Sequence, residues 1–141
     1  MRRTKVFLDT SYAIALSSTK DRHHLNAVSL ADALVKDRTK LVTTRAVVIE
    51  IGNALGKQRH RQAAVTLLGS IEKDQMVDII PITEELYKLG FELYKQRTDK
   101  EWGLTDCISF VAMRQRNLTE ALTADSDFEQ AGFKALLRGA M

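Results

Sequence analysis

The stretch KVFLDTSYAIALSS, residues 5–18, sets the reading of the whole chain. Val6, Phe7 and Leu8 form an apolar run of strand length that stops at Asp9, after which SYAIALSS suggests a turn and a short helix. A run without polar alternation fits a strand covered on both faces. The same unit returns near the end. EALTAD, 120–125, reads as a strand closing on Asp125, and SDFEQAG, 126–132, as a short helix ended by Gly132.

Between these units strands and helices alternate. KLVTT, 40–44, and VDIIPI, 77–82, read as strands, and FKALL, 133–137, as a last one. Leu25, Val28, Leu30, Ala31 and Leu34 space residues 24–37 as an amphipathic helix. Further helices are expected over 45–57, where Gly56 helps to end the element, and over 60–74. Residues 83–97 form another, opened by Thr83, Glu84 and Glu85, with Leu86, Leu89, Leu93, Tyr87 and Tyr94 on its apolar side. The pattern predicts an α/β fold with a central, mainly parallel sheet between helical layers. Right-handed crossovers would bring the strand exits to one edge, where α/β ligand sites form.

The chain has 141 residues, 45% hydrophobic and 28% charged, which fits one compact domain over residues 1–141. Nothing approaches a membrane-spanning apolar run, and Asp9 interrupts the first apolar stretch before signal-peptide length. Cys107 is the single cysteine, so a cytoplasmic location is expected and a buried filler is its ordinary role. Residues 1–70 carry 12 basic and 5 acidic groups, a balance of +7, against 9 and 13, or −4, over residues 71–141. A basic half attracts polyanions over a distance, although sequence halves are not surfaces.

The segment GLTDCISFVAM, 103–113, sharpens the functional question. Ile108, Phe110, Val111 and Met113 read as the buried side of a helix opening after Thr105, and Asp106 shares their stripe. A carboxylate there is costly unless something compensates it. Asp9 and Asp125 close strands, and Glu50 lies on a helix face with the small neighbours Ala46, Asn53 and Ala54. Each acid has a local explanation as a cap, a dipole partner or a solvated side chain. Together they are sent toward one edge of one domain, where mutual repulsion calls for a cation. An oxygen-only donor set suits Mg²⁺ or Mn²⁺, while His23, His24, His60 and Cys107 give no zinc spacing.

These segments resemble the PIN-domain nuclease family, in particular the VapC toxins of toxin–antitoxin pairs. VFLDTSYAIAL resembles the family's opening strand, TTRAVVIEIGNAL its second acidic region, WGLTDCISFVAM its third and ALTADSDFEQAGF its last. They follow family order over essentially the whole chain. The resemblance implies a three-layer α/β/α sandwich and a Mg²⁺- or Mn²⁺-dependent endoribonuclease leaving 3′-hydroxyl and 5′-phosphate ends. It places Asp9, Glu50, Asp106 and Asp125 in the catalytic and metal-binding set. Asp127 stands where many relatives carry other residues, and either joins the metal shell or organises the loop. The resemblance also implies an RNA substrate, a homodimer and a cognate antitoxin protein.

Thr10, Ser11 and Thr123 are candidate donors to the acids, and Arg45, Lys57, Arg59 and Arg61 candidate contacts to the RNA backbone. Trp102 either stacks on a base or anchors its loop against the core. Two other readings stand beside the ribonuclease: a catalytically silent PIN-like module binding RNA or protein, and a phosphatase on another acidic α/β scaffold. RNA binding without turnover would favour the first, and small phosphoester substrates the second.

Overall fold

A computed structural model describes residues 2–139. Five parallel strands, β1 (Lys5–Leu8), β2 (Lys40–Thr44), β3 (Val77–Ile80), β4 (Glu120–Leu122) and β5 (Lys134–Ala135), form one sheet in the order β3-β2-β1-β4-β5. Helices α1 (Thr10–Ser17) and α2 (His24–Lys36) link β1 to β2. The next crossover holds α3 (Arg45–Ala54) and α4 (Arg61–Lys73), and the third α5 (Glu84–Gln96) and α6 (Leu104–Gln115). Helix α7 (Ser126–Gln130) precedes β5, and α8 (Leu136–Gly139) follows it. Among the described residues, no helix is long and apolar enough to cross a membrane.

Alternate side chains of β1 reach opposite layers. Leu8 lines a small hollow with Tyr12 of α1 and with Leu67 and Ile71 of α4. Phe7 faces the other way and meets Phe128 of α7, whose ring packs edge-on against Phe110 of α6 at 4.9 Å. This two-sided burial is why β1 is apolar at consecutive positions and why the molecule is an α/β/α sandwich. The topology also fixes a place for chemistry. Connections run from β1 to β2 on one side and pass to β4 on the other, so a crevice opens beyond the carboxyl ends of β1 and β4.

Several elements differ in detail from the sequence reading. Helix α1 starts directly at Thr10, without an intervening turn. Helix α6 starts at Leu104, ahead of Thr105, because Gly103 already serves as its cap. In α2 the packed stripe is Ala27, Leu30, Ala31 and Leu34, whereas Leu25 is 81% exposed. The stripe is rotated from the expected one, and the small Ala27 is its wholly buried member.

The run FKALL gives a two-residue strand and then turns into α8, with Leu136 and Leu137 still buried. A short apolar run does not distinguish a strand from a buried helical turn. In α5 the aromatic side chains expected on the packed side are exposed, as is Leu89. Leu86 and Leu93 do pack inward as expected, and Gly90 joins them, permitting close contact with Ile108 of α6.

Candidate active site

Asp9 follows the last residue of β1 and occupies the cap position of α1, yet its side chain does not cap that helix. It is 4% exposed and turns across the β1–β4 crevice, where Oδ2 accepts a hydrogen bond from Thr123 Oγ1 at 2.6 Å. Ser11 Oγ lies 3.2 Å from the same carboxylate oxygen and accepts from the Ala124 amide at 2.9 Å. Thr123 Oγ1 in turn accepts from the Asp125 amide. Thr10 Oγ1 donates to Glu50 of α3 at 2.5 Å. The hydroxyls at positions 10, 11 and 123 therefore contact the acids, as the sequence suggested.

Asp106, Asp125 and Asp127 form the tightest group: one carboxylate oxygen from each lies within 4.8 Å of the others. Each also has a local task. Asp106 Oδ2 accepts from the Gly103 amide at 3.1 Å, closing the first turn of α6, and Asp125 Oδ1 caps α7 through the Asp127 amide at 2.8 Å. Local capping and clustering are thus compatible for these acids, because both helix N-termini open onto the same crevice.

The electrostatics record this crowding. Burial, reinforced by the charges of Asp125, Asp9 and Asp127, pushes the Asp106 carboxyl up to about 7. Burial also raises Asp9, with a smaller contribution from Glu50, and raises Asp127 with help from Asp125. Of the five acids expected from the sequence, Asp106, Asp125 and Asp127 cluster, Asp9 acts on Asp106 through its charge, and Glu50 acts in the same way on Asp9. Glu101 was not nominated, although its charge also acts on Asp127. It lies in the polar loop TDKEWG, and only its position just before the Asp106 helix hinted at a role.

The donor set contains oxygen alone and converges several carboxylates, so it fits a hard divalent cation. Cys107 does not compete for that role. It is buried, and burial pushes its thiol up to about 11, far from thiolate at neutral pH. Trp102 is core-anchored: it is 4% exposed, packs edge-on against Phe110 and donates to Gln130. Of the nominated basic residues, Arg45 pairs with Glu72 at 2.8 Å, Arg61 donates to the Gly56 carbonyl, and Lys57 is exposed.

A PIN domain model matches residues 6–134, spanning the sheet and every acid described above. The chain belongs to the PIN-domain family. Within that family it is VapC-like. The 23S rRNA-specific endonuclease VapC20 of Mycobacterium tuberculosis is 27% identical over 128 residues, covering 91% of this PIN domain chain and 95% of the relative. The crystal structure of Mycobacterium tuberculosis VapC20, described as a sarcin-ricin loop cleaving toxin, aligns with a TM-score of 0.81 at 26% identity. That alignment also covers 91% of this chain and 95% of VapC20. VapBC2 from Rickettsia felis, bound to a DNA fragment from its promoter, shares the PIN fold at a TM-score of 0.66 and 14% identity. It covers 94% of this chain and 97% of the matched one.

Proposed function

We propose that this PIN domain is a Mg²⁺- or Mn²⁺-dependent endoribonuclease acting in the cytoplasm as a VapC-like toxin. The reading is supported by the cluster of Asp106, Asp125 and Asp127, together with the charge that Asp9 exerts on Asp106 and Glu50 on Asp9. Asp106, Asp125 and Asp127 would hold an ion, together with Asp9. Bound there, it would lower the pKa of coordinated water and offset charge developing on the phosphate. The protein's part is orientation. Thr123 and Ser11 fix the Asp9 carboxylate, Thr10 fixes Glu50, and the Gly103 amide holds Asp106 at the mouth of α6. A carboxylate of this cluster would take the proton of the attacking water as its oxygen bonds to phosphorus and the P–O3′ bond breaks; the departing O3′ takes a proton from solvent, giving 3′-hydroxyl and 5′-phosphate ends.

The similarity to a 23S rRNA-specific endonuclease makes structured ribosomal RNA the first substrate class to test. A homodimer would use the exposed Tyr87 and Phe91 of α5 and Ile49 of α3. For the antitoxin, the structure offers an apolar groove of about 480 Å³ lined by Tyr12, Leu16, Leu34, Val35, Leu41 and Met76. It suits an apolar segment, while an arginine on the same partner would answer the acidic crevice.

The test is incubation of purified protein with folded ribosomal RNA and with unstructured RNA, in Mn²⁺, in Mg²⁺ and in excess chelator. Discrete fragments with 5′-phosphate ends, lost on chelation, are expected. Cleavage that persists in chelator would refute the metal-dependent reading. Specific RNA binding without turnover would replace it with a binding module.

A further inference from the structure

Beside the acidic crevice is a second hollow whose chemistry differs from that of a metal site. It has a cavity volume of about 500 Å³ and is walled by Tyr94 and Arg97 at the end of α5, by Lys100, Glu101 and Trp102 of the following loop, and by Gly103. That volume lies within the range of roughly 300–1,000 Å³ typical of small-molecule sites. The hollow and the crevice share a wall. Gly103, on its rim, donates its amide to Asp106, and Cys107, at its base, is the next residue along α6. Glu101, also on the rim, acts electrostatically on Asp127.

Beside the acidic Glu101, its lining carries two aromatic rings and two cations, Tyr94, Trp102, Arg97 and Lys100. Arg97 is fixed as a fork by Asp99, through Nε at 2.9 Å and Nη2 at 3.0 Å. The same guanidinium lies over the Trp102 ring, 4.9 Å from its centroid, so its plane is set from two directions. Tyr94 is 46% exposed and its ring leans on Phe91. Lys100 is half-buried and makes no salt bridge among the described residues; Asp99 feels its charge only weakly. Unstacked RNA bases are recognised by stacking on aromatic rings and guanidinium planes, with a cation nearby for the phosphate.

We infer that the hollow between Tyr94, Arg97 and Lys100 is a subsite for one unstacked nucleotide of the RNA substrate, adjoining the scissile phosphate. The base stacks against Tyr94 and the Arg97 plane, and Lys100 meets the neighbouring phosphate. Trp102 is the floor beneath Arg97 and is too buried to stack on a base itself. The subsite rests on the ribonuclease reading for its substrate, and it gives that reading a source of selectivity that the metal-binding acids lack.

Trp102 is the only tryptophan in the chain, so tryptophan fluorescence comes from a ring that lines this hollow. The full-length protein is titrated in chelator with single-stranded hexa-adenylate and hexa-uridylate, and with a hexamer of abasic ribose phosphates. Lys100→Gln and Tyr94→Leu are titrated alongside, after their melting curves are checked against wild type. Saturable quenching by a base-bearing hexamer is expected, with affinity weakened about tenfold in each variant, the scale of one lost stacking or phosphate contact. The same variants should raise KM for RNA cleavage while leaving kcat nearly unchanged.

Quenching unaltered by both substitutions, equal response to the abasic hexamer, or no response at all would overturn the subsite. If Tyr94→Leu melts early, Tyr94→Phe is used to show that a ring alone preserves binding, and loss of binding in that variant counts against stacking. Wild-type protein that binds in this way yet cleaves no RNA would overturn the ribonuclease reading and leave the nucleotide subsite standing.

Discussion

At the level of single residues, Asp106 carries opposing demands. Its carboxylate closes the first turn of α6, yet burial and three neighbouring acids push it up to about 7. In the unfolded chain the same group ionises near its ordinary value of 3.8. Below that value both states are protonated and Asp106 has no net effect on stability. Between about 4 and 7 the unfolded chain releases its proton while the folded one retains it, so stability falls as pH rises, by up to about 1.4 kcal/mol per pH unit. Burial raises Asp9 too, in the same sense. Metal-free protein should therefore melt at a lower temperature at pH 8 than at pH 5.5, and Mn²⁺ should restore more stability at the higher pH. Melting curves recorded in chelator across that range check this. A wild-type profile no steeper than that of Asp106→Asn would show that the Asp106 charge is not what strains the site.

One turn further along α6, Ser109 is wholly buried and its hydroxyl has no hydrogen-bond partner among the described residues. Removing an unsatisfied buried hydroxyl while keeping the methylene should be neutral or stabilising, by about 1 kcal/mol. Ser109→Ala is expected to raise the melting temperature slightly in differential scanning calorimetry. A clear fall would mean that the hydroxyl has a partner in solution.

At the level of elements, the contact between α5 and α6 positions the site. A methyl group added at Gly90 would lie 2.6 Å from Ile108 Cγ1 and 3.1 Å from Ile108 Cα. The side chain could swing aside, but the backbone contact requires the helices to part. Alanine gains about 1 kcal/mol in helix propensity. Overpacking costs about 1–3 kcal/mol. Gly90→Ala should therefore lower stability in chemical denaturation and reduce cleavage, because Ile108 and Asp106 share α6. A variant as stable and active as wild type would show that α6 tolerates the shift.

The same contact shows where the sequence was readable. The start of α5 followed from Thr83 and its two following glutamates, and Thr83 does cap the helix. Its exposed aromatic side was not evident, because 3.6-residue periodicity locates apolar residues without saying which flank is covered. The glycine that decides the close contact carries no periodic signal at all.

At the level of the whole molecule, strand order connects fold to chemistry. Asp9 was legible because it directly follows an apolar strand; Asp125, read as closing β4, instead stands past its end at Leu122 and caps α7, but parallel strands still deliver both to one edge. Asp106 was legible as a carboxylate within an apolar stripe. Glu101 was not, since one more acid in a polar loop looks like solvated surface until the fold places it near Asp127. Its neighbour Trp102, open in sequence to either a base or the core, was decided by packing against Phe110. The site was thus readable where an acid interrupts a hydrophobic pattern, and hidden where loop conformation alone brings groups together.

The proposed homodimer belongs to this scale as well. Tyr87 and Phe91 expose a stacked aromatic surface on α5 that is costly to leave in water. Light scattering at tens of micromolar, an order-of-magnitude range for a moderate interface, should find a dimer in the wild type. Replacing both aromatics with serine should shift it to monomer, and a persistent dimer would place the interface elsewhere. The measurement closest to the proposed chemistry is Mn²⁺-dependent cleavage of folded ribosomal RNA by wild-type and Asp106→Asn proteins of matched circular dichroism. Asparagine keeps the size and an acceptor for the Gly103 amide but removes the charge that holds a hard cation. Metal-dependent cleavage by the wild type and a loss of about 100-fold or more in the variant, the scale of removing one preorganised electrostatic group, is the expected result. Equal metal-dependent cleavage by both proteins would contradict it.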